Sequence, residues 1–72
     1  MAKYTIVIGD DWSGLYVDGT LVIQGHELRE YEVLVAAQTF GAVTEVEQVE
    51  ANLGWLEDRG DLPSDLIDVV TV

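Results

Sequence analysis

Seventy-two residues allow one domain, residues 1–72, and a chain of this size buries only about 60% of its unfolded surface, so its core must be small. Fourteen acidic residues against three basic ones give a formal charge of -11, which opposes direct binding to nucleic acid or to an anionic membrane surface, since both call for Lys and Arg. Hydrophobic residues still make up 49% of the chain, which argues for a folded domain over an acidic disordered tail, and the lack of cysteine removes disulfides and thiolate metal sites.

Met1-Ala2-Lys3 leads straight into strand-like residues, without the basic and apolar regions of a signal peptide. No apolar stretch approaches about 18 residues, so no membrane span is expected and the cytoplasm is the expected location. Lys3-Tyr4-Thr5-Ile6-Val7-Ile8 is rich in β-branched residues and stops at Gly9, which predicts a strand at the centre of a sheet. The stretch from Gly9 to Gly19 then reads as a hairpin region with an unusually acidic and aromatic loop, Asp10-Asp11-Trp12. Asp18-Gly19 falls between Leu15-Tyr16-Val17 and Thr20-Leu21-Val22-Ile23-Gln24. That dipeptide suits a type I′ turn, which needs positive φ at both central residues, so the two runs should pair antiparallel.

From His26 to Phe40 there is no Gly or Pro, Glu27 and Glu30 stand in the first turns, and Gly41 follows, which together predict the main helix. Leu28, Tyr31, Leu34 and Val35 recur at helical spacing, while Val33, Ala36, Ala37 and Phe40 widen the apolar surface beyond one stripe. Residues 43–50 are ambiguous. Valines three apart suit a helix with Thr44 and Glu47 as a capping box, whereas the density of Val and Thr suits a strand. Ala51 to Arg59 predicts a short helix carrying Trp55 and closed by Gly60; Leu62-Pro63-Ser64-Asp65 is a turn, and Leu66 to Val72 an apolar tail, either an edge strand or a partner-binding end.

The expected fold is α+β: an antiparallel three- to four-stranded sheet, a β-meander, with one long helix packed on a face and a short C-terminal helix. An apolar second face would need a cover, from the short helix or from a second copy of the chain, so a homodimer is a possible state.

Gly9-Asp10-Asp11-Trp12, Gly14-Leu15-Tyr16-Val17-Asp18-Gly19, Leu21-Val22 and Gly25-His26, with Trp55-Leu56-Glu57 and Leu62-Pro63 later, resemble small uncharacterised proteins encoded by bacteriophages. The resemblance spans most of the chain. It implies a phage or prophage origin, hence the cytoplasm of a host cell, and favours the strand form of residues 43–49. It brings no activity and no catalytic or binding residue with it.

Asp10, Asp11 and Asp18 invite comparison with a Ca²⁺ loop, but the sixth and twelfth positions counted from Asp10 hold Leu15 and Leu21, where such a loop needs Gly and Glu. Asp10 and Asp11 are better read as turn residues bonding nearby amides. His26, the only histidine, has no nucleophile to serve and reads as a capping or packing residue; Ser13 and Ser64 stand in turns without a nucleophile elbow, and no glycine is spaced for a phosphate loop. No catalytic residue, cofactor or metal is therefore expected, and the chain reads as no enzyme.

Three functions from different classes fit. The first is an acidic interaction protein that inhibits a host or defence protein by occupying its basic, nucleic-acid-binding surface with carboxylates in place of phosphates. Its partner-binding residues would be Asp10, Asp11, Trp12, Tyr16, Glu45, Glu47, Glu50, Trp55, Glu57, Asp58 and Asp61. Each has a plainer role beside it: excess carboxylates keep small proteins dispersed, and aromatics in or beside loops commonly cap a core. The second is a binder that sequesters a nucleotide by stacking on Trp12, Tyr16 or Trp55, although three basic residues are few for several phosphates. The third is a structural or assembly partner using the tail from Leu66 to Val72.

Overall fold

A computed structural model of the chain describes residues 2–26, 30–41 and 43–72. Strands β1 (Ala2–Ile8), β2 (Ser13–Val17) and β3 (Thr20–Gly25) are followed by helix α1 (Glu30–Phe40), strand β4 (Val43–Glu50), helix α2 (Leu53–Arg59) and a 3₁₀ turn at Leu66–Asp68. The four strands form one sheet in the order β3-β2-β1-β4, which places β1 in the interior as expected. Among the described residues no helix is long and apolar enough to cross a membrane.

The first three strands form the expected meander. Val17 faces Thr20 across a two-residue turn, and Asp18 and Gly19 both take positive φ, 51° and 86°. The Asp18 carboxylate also accepts a hydrogen bond from the Lys3 amide at 2.9 Å, tying the turn to the start of β1. In β3 the register shifts, so that Leu15 faces Ile23 while Tyr16 faces Leu21. Val22 is the extra residue of this bulge, which sends Leu21 to one face of the sheet and packs Val22 and Ile23 on the other.

The expected antiparallel sheet is corrected at residues 43–50. They form a strand, but β4 runs parallel to β1, from Lys3 opposite Glu45 to Ile8 opposite Glu50, so the sheet is mixed. Two hairpins leave β3 running in the same direction as β1. The intervening helix carries the chain back to the starting end of the sheet and across to the opposite edge, so β4 begins where β1 begins. Of the helix expected from His26, the described part is Glu30–Phe40; Glu27, Leu28 and Arg29 lie outside the described residues. Gly41 ends it with φ 98°, and its carbonyl accepts from the Tyr4 hydroxyl at 3.4 Å.

Strand alternation divides the core into two clusters. Ala2, Tyr4, Leu15 and Val17 meet Ala36 of α1, with Val33 and Ala37 beside it. On the opposite face Val7 and Tyr16 meet Ala51, Leu56 of α2 and Leu62. The second face is thus covered by the chain's own short helix and C-terminal segment. α1 is not covered all round: Val35 and Phe40 are 54% and 45% exposed.

The tail from Leu66 to Val72 is neither a regular edge strand nor a loose end. Backbone bonds Leu21 N→Ser64 O and Leu66 N→Gly19 O, both 2.8 Å, attach the segment to the start of β3 and to the turn before it. It then crosses under α2's side of the sheet through half-buried Leu66 and Val69 and reaches the far edge, where Val70 and Val72 bond Asn52 and Glu50.

Candidate functional site

Helix α2 is set by its ends. Asn52 caps it, its side-chain oxygen accepting from the Trp55 amide at 3.0 Å, and Gly60 closes it in the left-handed conformation. Between these caps Leu56 points inward and docks on the β1–β2 turn, where Gly9 N donates to Trp12 O at 2.7 Å. That close approach depends on Gly9, because a Cβ there would strike the Leu56 side chain and lie 2.8 Å from the Trp12 carbonyl oxygen.

A cleft of about 430 Å³ opens between the turn and the helix, lined by Asp10, Asp11, Trp12, Leu53, Leu56 and Glu57. It adjoins a second hollow of about 260 Å³ at the carboxyl ends of the parallel strands β1 and β4, where Asp10 and Leu53 line both and Glu50 is added. Three carboxylates, two leucines and Trp12 thus line one cleft.

Trp12 is held in place. Its indole N–H donates to Gln24 Oε1 at 3.0 Å, the His26 ring meets it edge-on at 5.1 Å between centroids, and His26 Nδ1 lies 3.3 Å from the Asp11 carbonyl oxygen. His26 therefore packs and fastens the loop. Gln24 has no counterpart in the sequence reading, because nothing local distinguishes an exposed strand glutamine that latches an indole from one that faces water.

No family model, curated protein or solved structure matches this chain.

The sequence-derived site residues separate into groups. Asp10, Asp11, Trp12 and Glu57 meet at the cleft, with Glu50 in the adjoining hollow. Glu45 and Glu47 sit farther back along β4, where the Lys3 ammonium lies 3.5 and 3.9 Å from them. Asp61 pairs with Arg59 at 3.7 Å, and Asp58 is exposed but lines neither hollow. Trp55 is half-buried against the second core cluster and does not line the cleft.

Tyr16 is corrected from a contact residue to a core residue. It has no exposed surface, and its hydroxyl donates to the Pro63 carbonyl oxygen. Burial pushes its phenol up to about 12 from 10.0; Arg59 opposes this, and Asp61, Asp65 and Asp68 add to it.

Chemically, the cleft suits a cation on an aliphatic stem. Leu53 and Leu56 can cover methylenes, and three carboxylates lining the cleft offer charge-assisted hydrogen bonds. The same carboxylates repel phosphate. Among the described residues no group of three or more His, Asp or Glu side chains is placed to hold a metal ion.

Proposed function

We propose that this protein is a non-enzymatic acidic interaction protein that seats a Lys or Arg side chain of a partner in the cleft between the β1–β2 turn and α2. The observation that carries this reading is the convergence of Asp10, Asp11 and Glu57 around Trp12 and two leucines. A basic surface that serves to bind nucleic acid would supply such side chains, and the chain's charge of -11 would speed the encounter. Occupying that surface would inhibit the partner. The resemblance to bacteriophage-encoded proteins supports a host or defence protein in that role. Nucleotide sequestration is the weaker reading, since the indole that would stack a base stands among carboxylates that oppose its phosphates.

The test is an NMR titration with an oligoarginine peptide at low and high salt, alongside a titration with ATP. Oligoarginine should shift the Trp12 indole resonance, bind less tightly as salt rises over a Debye length of about 8 Å, and lose most of its affinity for an Asp10→Asn, Asp11→Asn, Glu57→Gln variant. Equal binding by the variant would sink the reading. Saturable shifts at Trp12 with ATP but none with oligoarginine would replace it with nucleotide binding.

A further inference from the structure

We propose that the open edge of β4, from Glu45 to Gln48, docks an extended basic segment of a partner protein, one in which Lys or Arg alternates with apolar residues. This surface is separate from the cleft, and the inference does not depend on the cleft's ligand.

The sheet order leaves β4 at an edge. The opposite edge, at β3, is partly taken by the chain itself through Ser64 and Asp65. In β4 the direction of the backbone groups follows from the neighbouring bonds. Ala51 N donates inward to Ile8 O, whereas Glu50 O and Asn52 N bond outward to Val72 and Val70. Groups alternate along a strand, so the N–H and C=O of Gln48 and Val46 point outward as well. They continue the same row. The chain already lays a short antiparallel segment on this edge, with Thr71 opposite Ala51, which shows the pairing mode that the rest of the edge can accept.

The side chains along the edge specify the partner. Val46, opposite Tyr4 and therefore on the α1 side, is 62% exposed and meets an incoming strand with an apolar surface. Glu45 and Glu47 project on the other side, where the two carboxylates share one Lys3 ammonium and leave an excess of negative charge. A strand with apolar residues on the first side and Lys or Arg on the second complements both, since opposite charges directly across a ladder stabilise it. A second copy of this chain paired about Val46 does not fit. Antiparallel β4–β4 pairing about Val46 would set Glu45 of each copy against Glu47 of the other, and like charges across strands destabilise.

The probe is a blocked synthetic peptide of alternating Lys and Val, compared with one of alternating Glu and Val, each followed by amide shifts and hydrogen exchange in the full chain. The Lys-Val peptide should protect the Val46 and Gln48 amides, and the Glu-Val peptide should not. Val46→Pro removes an outward N–H without taking a bond from β1, and should weaken binding about tenfold or more. Since proline can also disturb a strand, Glu45→Lys with Glu47→Lys serves as a second variant and should reverse the preference toward the Glu-Val peptide. Asp11→Asn with Glu57→Gln should leave the β4 protection unchanged, which keeps this inference distinct from the cleft reading. The inference fails if the Lys-Val peptide protects no β4 amide, if binding is indifferent to both edge variants, or if the same amides become protected without peptide as protein concentration rises.

Discussion

The Trp12 indole N–H donates to the side-chain oxygen of Gln24, 3.0 Å away on β3, and so joins the acidic loop to the far side of the sheet. That same oxygen accepts from the Leu62 amide at 2.9 Å, where the segment leaving α2 returns to the core. One atom therefore holds the Trp12 side chain and the entry to the C-terminal segment. Gln24→Leu would leave both donors without this acceptor, one of them partly buried, and should destabilise the fold by about 1–3 kcal/mol. It should also shift tryptophan fluorescence to longer wavelength as Trp12 loosens. Unchanged melting and emission would show that water replaces the glutamine without loss.

Gly9→Ala tests the seating of α2. The added methyl would collide with the Leu56 side chain, which can move, and with the Trp12 carbonyl oxygen at 2.8 Å, which is fixed by its bond to Gly9 N. Overpacking of this kind costs about 1–3 kcal/mol. The expected result is a lower midpoint in urea with an unchanged slope, together with weaker oligoarginine binding. A variant as stable as the parent would mean that the turn and helix separate readily.

Tyr16 makes stability depend on alkaline pH, with a definite sign. Its folded-state phenol ionises near 12, while in the unfolded chain it ionises near 10.0. The stabilisation is therefore complete below about pH 10 and is lost as pH rises toward 12, because only the unfolded state releases the proton in that window. Tyr16→Phe should cost about 1 kcal/mol at neutral pH through the lost bond to Pro63 O, and should flatten the alkaline slope relative to the parent. Denaturation curves of both proteins at neutral pH and between pH 10 and 12 make the comparison. Parallel slopes would mean that Tyr16 ionises equally in both states.

Features decided within a few residues were legible in the sequence. Asp18-Gly19 turns the chain because both residues accept positive φ, and Gly41 and Gly60 stop their helices in the left-handed conformation for the same reason. The β-branched run ending at Ile8 was readable as a strand, and the apolar residues of both helices announced faces in need of cover. The acidic, aromatic character of the cleft's loop was equally plain in Asp10-Asp11-Trp12.

Tertiary structure decided what depends on residues distant in sequence. The valine spacing of residues 43–50 fits a helix as well as a strand, and nothing in it encodes direction; parallel pairing to β1 arises because a helix-length connection carries the chain back across the sheet. Trp12, Tyr16 and Trp55 look alike as aromatics beside polar neighbours, yet one lines the cleft, one is sealed in the core, and one lies half-buried on it. Their fates follow from which chain segment returns over each, as Pro63 does over Tyr16 and Gln24 beneath the indole of Trp12. Local backbone preference sets where this chain turns, but burial and hydrogen-bond partners are set by surfaces that meet only after it has folded.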